Sequence, residues 1–506
     1  MNGHPFLVLI DRDSPSSPDL IGGKASSLVR LMQGGARVPP AFNLTTEAYR
    51  RWTESEDAGF VRELVREGLA ALRLRQADRG GPLVVSVRSG APISMPGMMD
   101  TLLNVGFGEA GADWPPFHYQ ARSAYLDQFV ELVLEIEGSA QNNRSVRPIT
   151  LPEVTLQEGH VRSLCERLGR PWPSDPVDEV VSAAVAVFRS WNAPRARLYR
   201  RMRGIDDALG TTVTVQQMIF GNRDANSGSG VAFTRNPTTG QAGLNGEFLW
   251  AGQGEDVVGG KETASDLSTW QGRYPALFAE VSDIGRSLEA ASGKVQELEF
   301  TVEDGIVYLL QCRPAKLTRT AAVVTAADMV DEGLLDMAAA VSYAESHGVE
   351  PSALGSCRLR VSSAANAVGR GLGVGGGVAQ GRLALSLETA REMIGKNEPV
   401  IFASIETSPK LLSVMQHSAG LLTMRGGASS HAAVVARELH VPCIVGLNGV
   451  LENGSMHLDA PPIAEGEWIT VDGDSGRIFA GQVGENHSQL SPAEARIAEW
   501  AKSTAA

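Results

Sequence analysis

The chain has 506 residues, 43% hydrophobic and 20% charged, with a net charge of -13. That length predicts about two to four domains, each able to bury its own core. The acidic balance argues against nucleic acid as a partner, since a phosphate backbone is repelled unless a local basic face is present. Cys165, Cys312, Cys357 and Cys443 lie far apart with no CxxC pair, so the thiols read as reduced rather than as a zinc site or disulfide framework. The apolar run FLVLI near the start is too short for a signal peptide or a bilayer span. The expectation is a cytoplasmic protein without a membrane partner.

In chain order, residues 7–10 predict a strand, and GGKASSLVRLM (22–32) opens a helix with Leu28, Leu31 and Met32 at helical spacing. Pro39 and Pro40 mark a turn, and Thr46 reads as the N-cap of the next helix. PLVVSVRSG (82–90) is a strand running into a loop, residues of about 119–137 and 178–201 are helical, and TVTVQQMIFG (212–221) alternates as a strand. GEFLW, ELEFTV and IVYLLQCR are further strands. Beyond Lys316 the composition shifts. Residues 321–348 are alanine-rich and helical, and the glycines of 369–385 predict tight turns between short strands. PVIFAS, LLSVMQHSAGLLT, SSHAAVVAREL, VPCIVG and EWITVDGDSGRIFAG then alternate strand with helix, and SPAEARIAEWAKSTAA is a terminal helix. The interleaving predicts an α/β and α+β multidomain fold with a boundary between about 320 and 370.

Four patterns could handle phosphate. In SVRSGAPISMPGMMDTLLNVG (86–106), Arg88 offers a bidentate fork, Gly97 a close backbone approach and Thr101 a hydroxyl, without a GxxxxGK[ST] loop. Lys24 follows two glycines at a helix start. Glu297 and Glu299 share one strand face, and Gln311 and Arg313 repeat the pattern on a hairpin partner, where carboxylate and amide oxygens suit a hard cation such as Mg²⁺. Finally, RGGASSHAAVVAREL sets His431 at a helix start behind Gly426 and Gly427. Ser429 or Ser430 can cap that helix, and Arg425 and Arg437 can offset charge. Neutral imidazole is a nucleophile near pH 7. Taken one at a time, these patterns also fit a surface turn, a solvated lysine, a half-solvated sheet face and a capped helix with an incidental histidine.

Together, SVRSGAPISMPGMMDTLLNVG, VTVQQMIFGNRDANSGSGVAFTRNPTTGQAGLNGEFLWAGQGEDVVGG and TMRGGASSHAAVVAREL, in this order, strongly resemble the pyruvate phosphate dikinase and phosphoenolpyruvate synthase family over nearly the whole chain. The resemblance implies an ATP-grasp nucleotide-binding domain over 1–320, a helical linker over 321–365, a small swivelling phosphohistidine domain over 366–483 and a helical tail over 484–506. It implies ATP and Mg²⁺ as cofactors, His431 as the phosphorylated residue, and Lys24, Arg88, Gly97, Thr101, Arg122 and Arg313 as nucleotide or phosphate contacts. Gln216, Gln217, Met218 and Ile219 would form the strand beside adenine, Glu299 and Gln311 would bind Mg²⁺, and Gly426, Gly427, Ser429 and Ser430 would support the phosphohistidine.

Three departures from the family pattern are local. Pro92 replaces a frequent basic residue, His440 stands where glycine is usual, and GLGVGGGVAQG lacks the proline of an SPGxxxG turn. The fourth is large: the family's C-terminal acceptor barrel has no counterpart in these 506 residues, and the expectation is that the acceptor half is absent. The expectation is a dikinase-like phosphotransferase that phosphorylates His431 from ATP, releases AMP and passes the phosphoryl group to an acceptor held in this chain or in trans. Two other readings stand beside it, the nucleotide and phosphohistidine subunit of a split dikinase with a separate barrel subunit, and a non-catalytic nucleotide-binding regulatory module.

Overall fold

The computed structural model describes residues 4–75, 82–93, 95, 98–108, 114–135, 149–173, 175–259, 264–354, 358–362, 365–407 and 411–504. They divide into two compact units, one of residues 1–223 with 308–311, the other of 224–307 with 312–506. The division thus falls inside the span 1–320.

The first unit is built on a five-stranded antiparallel sheet in the order Leu7–Ile10, Ala41–Leu44, Val213–Gln217, Val85–Ser89, Thr101–Val105. Its helices bury one face against a shared core that includes Phe42, Val65, Leu69, Tyr125, Phe129, Val187 and Trp191. The helix Pro18–Gln33 starts earlier than its sequence pattern predicts, because Pro18 supplies a ready-made first turn, and it kinks at Gly22. The following helix is capped by Thr45, not Thr46. The Thr45 side chain accepts from the Ala48 N–H, and Thr46 is the first helical residue. The helix expected over 178–201 is two helices, Pro176–Ser190 capped by Asp175, and Pro194–Arg203, because Pro194 cannot continue the first and opens the second. The helix near 119–137 runs Pro116–Gln128 and widens into a π-turn at Phe129–Val133.

Two further sheets lie in the second unit, apart from residues 308–311 of the first strand named next. One has the order Ile306–Pro314, Gln296–Glu303, Gly228–Arg235, Ala242–Trp250, Ser265–Asp266. Its face is filled by Phe248, Trp270 and Phe300, with ring centroids 4.9–5.8 Å apart. The other has eight strands, with Val378–Ala384, Val400–Ser404, Gly420–Thr423 and Cys443–Val445 running parallel at its centre. Parallel neighbours require crossovers, and the helix His431–Leu439 is the crossover between the last two. Its loop therefore leaves the carboxyl end of Gly420–Thr423, the edge where open α/β sheets place their chemistry.

The strand entering this sheet region, Arg358–Val361, pairs antiparallel with the strand leaving it, Gly484–His487. The helices Arg319–Asp331 and Met337–Glu345 take the terminal helix Pro492–Thr504 against them. Ile497 and Trp500 are buried in their core, and Arg496 forms a bidentate pair with Asp331. Cys165, Cys312 and Cys443 are buried thiols outside any disulfide, and Cys357 lies outside the described residues. No helix among the described residues is long and apolar enough to cross a membrane.

Gly22 fixes how the first long helix meets its sheet. Its φ is 74°, and a Cβ there would lie 1.9 Å from the Gly90 carbonyl oxygen. Gly22→Ala is expected to lower stability by about 1–3 kcal/mol from the left-handed backbone alone, with the overlap adding to it. Denaturant unfolding checks this, and an unchanged midpoint would show that the helix start can shift away from Gly90.

Candidate functional site

Several of the proposed nucleotide residues converge in the first unit. Gly23 N–H donates to the Ala91 carbonyl at 3.0 Å, so Lys24, one residue on, sits next to the end of the strand that carries Arg88. Arg88 lies directly opposite Thr101 in the sheet register, and its Nη2 donates to Gln311 Oε1 at 2.9 Å. Gln216 and Gln217 continue the central strand opposite Ser86 and Val85. The Met218 N–H donates to the Val84 carbonyl at 2.9 Å. Gln216 is buried, and its Nε2 has no hydrogen-bond partner among the described residues. Ile219 is buried, and Met218 packs against the cluster of Val84, Phe107, Ala121 and Phe220. Gly97 lies outside the described residues.

Arg122 is set apart from this group. It is 1% exposed, and it donates to Glu158 at 2.7 Å and to Glu179 at 2.6 Å within the helical layer. Glu179 also accepts from the Gly106 N–H. Burial raises the Glu179 pKa, and Arg122 opposes that shift. These contacts pair Arg122 within the helical layer.

In the second unit, Glu297 and Glu299 point to one side of their strand, as the alternation predicts, with Leu298 and Phe300 buried on the other. Glu297 is not free for a ligand, because Arg313 Nη2 donates to it at 2.6 Å. Glu299 is half-buried and Gln311 buried. Gln311 belongs to the first unit, where its Oε1 accepts from Arg88, and Glu299 belongs to the second. No cluster of three or more His, Cys, Asp or Glu that could hold a metal occurs among the described residues.

The histidine loop is the most fully built feature. Gly426 has φ 111°, which turns the chain so that Ser430 caps the helix by accepting from the Ala433 N–H. His431 is the first helical residue, and Ala432, Ala433, Val435 and Ala436 behind it are buried in the core of the eight-stranded sheet. Burial lowers the His431 pKa below its ordinary 6.5, and its Nε2 is buried without a hydrogen-bond partner among the described residues. The helix ends at His440 in the left-handed conformation, φ 53°, a position where glycine would be unstrained.

Two neighbours of the loop behave differently from the sequence expectation. Arg425 is exposed and paired with Glu406 at 3.0 Å. Arg437 is fully buried over the Phe233 ring, its three guanidinium nitrogens find no hydrogen-bond partner among the described residues, and burial pushes its pKa down to about 10.

Sequence reasoning missed Glu247. It lies on the strand Ala242–Trp250, accepts from the Ala428 N–H at 2.8 Å with Oε1, and accepts from Ser429 Oγ at 2.9 Å with Oε2. A Cβ on Gly427 would lie 1.9 Å from that carboxylate, so glycine is required for its close approach. The only local signal is a carboxylate inside the otherwise apolar GEFLW.

The chain thus joins a unit built on an antiparallel sheet to one whose eight-stranded mixed sheet carries a histidine at the start of a crossover helix. Residues 59–277 match the pyruvate phosphate dikinase AMP/ATP-binding domain, and residues 396–476 match the mobile domain of PEP-utilising enzymes. The chain is 33% identical to the pyruvate, phosphate dikinase of Clostridium symbiosum, over 98% of this chain and 60% of that protein. It is 36% identical to pyruvate, phosphate dikinase 2 of Zea mays, over 92% of this chain and 56% of that protein. It is 35% identical to the chloroplastic pyruvate, phosphate dikinase 1 of Arabidopsis thaliana, over 95% and 53%. The chain belongs to the pyruvate phosphate dikinase family, and it spans 53–60% of the length of these relatives.

Two expectations follow. Arg122→Met leaves Glu179 buried without its cation and should cost roughly 3–5 kcal/mol. Unchanged stability with weakened ATP binding would assign the guanidinium to the nucleotide instead. An NMR titration of His431 should show a midpoint below 6.5, because the folded ring resists protonation. By linkage, the corresponding stability is present above the unfolded pKa and is lost as pH falls through the lower folded value. A midpoint at or above 6.5 would mean a solvated ring.

Proposed function

We propose that the chain is an ATP-dependent, dikinase-like phosphotransferase in which His431 carries the phosphoryl group. The observation that supports this most directly is the position of His431, a neutral imidazole at the start of a crossover helix in the mobile domain. Its helix N-terminus favours an anion, and its burial favours the unprotonated, nucleophilic ring.

The reaction is read as two displacements. An imidazole nitrogen attacks the β-phosphorus of ATP, the bond to the α-phosphate oxygen breaks, and AMP leaves with that electron pair. The pyrophosphoryl group on His431 then loses its terminal phosphoryl group to phosphate or water, leaving a phosphohistidine. That second phosphoryl group passes to an acceptor and restores the free ring. Lys24, Arg88 and Arg313 are proposed to grip phosphate oxygens, with Thr101 and Gly97 beside them, and Gln216, Gln217, Met218 and Ile219 to border the adenine. Glu299 and Gln311 are the proposed Mg²⁺ ligands, and Mg²⁺ when bound offsets the phosphate charge. Gly426, Gly427, Ser429 and Ser430 shape the loop that receives the phosphoryl group.

The final acceptor is proposed to be pyruvate, as the relatives' names suggest, or another small molecule, met in the same polypeptide or on a separate barrel subunit.

Incubation with ATP labelled at the β or the γ phosphate, beside a His431→Ala control, tests the reading. Acid-labile β-label on the protein that is lost in the variant is expected. ATP binding with no label on the protein would overturn the phosphotransferase and leave a nucleotide-binding module.

A further inference from the structure

The second unit contains a cleft of about 940 Å³ at the far end of the histidine helix from His431. The start of the helix Arg319–Asp331 forms one wall, the turn Gly348–Glu350 another, and His440, the residue that ends the histidine helix, a third. None of the residues proposed to hold ATP, Mg²⁺ or the phosphoryl group lines it. In a chain with a net charge of -13, these walls gather cations. Thr318 caps its helix by accepting the Ala321 N–H with its side chain and the Ala322 N–H with its carbonyl. That leaves the Arg319 and Thr320 N–H groups to partners outside the helix, and both residues are exposed on the cleft wall. The Arg319 side chain forms no ion pair among the described residues. His440 lies in the same field. Burial, and then the charges of Arg319, His347 and Lys316, hold its pKa below the ordinary 6.5, with Glu438 opposing. Its ring occupies a position where glycine would be unstrained and packs on Gly348, where a Cβ would lie 2.6 Å from its Nε2. Its Nδ1 has no hydrogen-bond partner among the described residues. Arg437, on the same wall, is 1% exposed, and its guanidinium nitrogens are likewise unbonded. Buried donors without acceptors beside an open cleft are the mark of a missing anion.

We propose that this cleft is a ligand site separate from the one assigned to ATP, and that it takes a small molecule with a single phosphate group. The phosphate is held by the Arg319 guanidinium and by the Arg319 and Thr320 N–H groups at the helix start, beside His440. The uncharged body of the ligand lies against Val323, Val349 and Leu359, which line the cleft. Its volume is that of a metabolite pocket, far larger than one phosphate ion. The acids on the walls set the limit of one charged group. Asp472 is taken by the Ser475 hydroxyl and the Asp474 N–H, and Glu494 by the Ser491 N–H, but Glu350 and Asp474 also line the cleft and would repel a ligand that is anionic throughout. The site stands whether or not His431 carries a phosphoryl group, because none of its contacts involves that ring.

The test is NMR of the full chain with labelled histidine, titrated with glycerol 3-phosphate in the absence of ATP. The His440 ring resonance is assigned by its loss in His440→Gly. Glycerol 3-phosphate should move that resonance saturably and raise the His440 titration midpoint, because a nearby anion favours the imidazolium. Glycerol alone, and sodium chloride at matched ionic strength, should not. Arg319→Gln removes the guanidinium from an exposed position and should weaken the apparent affinity about tenfold or more. Arg286→Gln, which removes the same charge from an exposed helix outside the cleft, should leave the affinity within about twofold. Unfolding midpoints establish that each variant is folded. A His440 resonance that stays still, that moves equally with sodium chloride, or that keeps its wild-type affinity in folded Arg319→Gln would overturn the site. Failure of His431 to take label from ATP would leave all of these results unchanged, so the two readings fail separately.

Discussion

A helix that begins beside a sheet leaves its first backbone N–H groups without partners inside the helix, and the reactivity assigned to His431 depends on where those groups are pointed. Gly426 turns the chain at φ 111°, Ser430 caps the Ala433 N–H, and Glu247 takes the Ala428 N–H. The last two each satisfy a donor that would otherwise need water. What remains is a short, rigid approach to a buried crossover helix, with the imidazole on its first turn. Loosening any one of these supports would let the ring hydrate, and a hydrated imidazole loses both the lowered pKa and the fixed orientation that phosphoryl transfer requires.

The cations of the protein show a common economy. Arg88 rests on the Gln311 amide oxygen, Arg313 on the Glu297 carboxylate and Arg425 on Glu406. A guanidinium left bare in a cleft would be costly to desolvate each time a nucleotide arrived, whereas one already held by a protein oxygen exchanges one acceptor for another. Arg122 instead meets two buried carboxylates, Glu158 and Glu179. The partners differ: an amide oxygen for Arg88, one buried carboxylate for Arg313, a half-exposed carboxylate for Arg425 and two buried carboxylates for Arg122.

This distinction also marks how far the sequence could be read. The histidine loop was legible because its parts are consecutive: two glycines, two serines, the ring and an apolar helix act over a dozen residues. The strands at 7–10, 296–303 and 306–314 were legible for the same local reason, alternation within a single segment. The partners of Arg122 in this structure could not be read from its own neighbourhood, because they lie 36 and 57 positions away. Glu247 is 181 positions from Ala428, and in a strand pattern it reads as one polar residue among apolar ones. The split of the predicted helix over 178–201 was visible in Pro194, but periodicity carried across the break outweighed it. The order of the eight-stranded sheet, with the strand Leu372–Gly375 added at the far edge beside Cys443–Val445, is set by long-range pairing that no local pattern encodes.

One field serves both halves of the chemistry assigned to His431. Burial disfavours the imidazolium, so the ring enters the reaction neutral and nucleophilic. The partial positive charge at the helix start disfavours the same imidazolium and favours whatever anion is bonded to the ring afterwards. A histidine in mid-helix would share the burial but not the field, and one on a solvated loop would have neither. The carboxylate of Glu247 lies on the loop side of this helix start, bonded to residues 428 and 429 rather than to the ring. It can satisfy the loop without raising the pKa of the nucleophile, since a carboxylate paired directly with the imidazole would stabilise the protonated form. Placing the anion one step back along the chain is what allows the loop to be held and the ring to remain reactive.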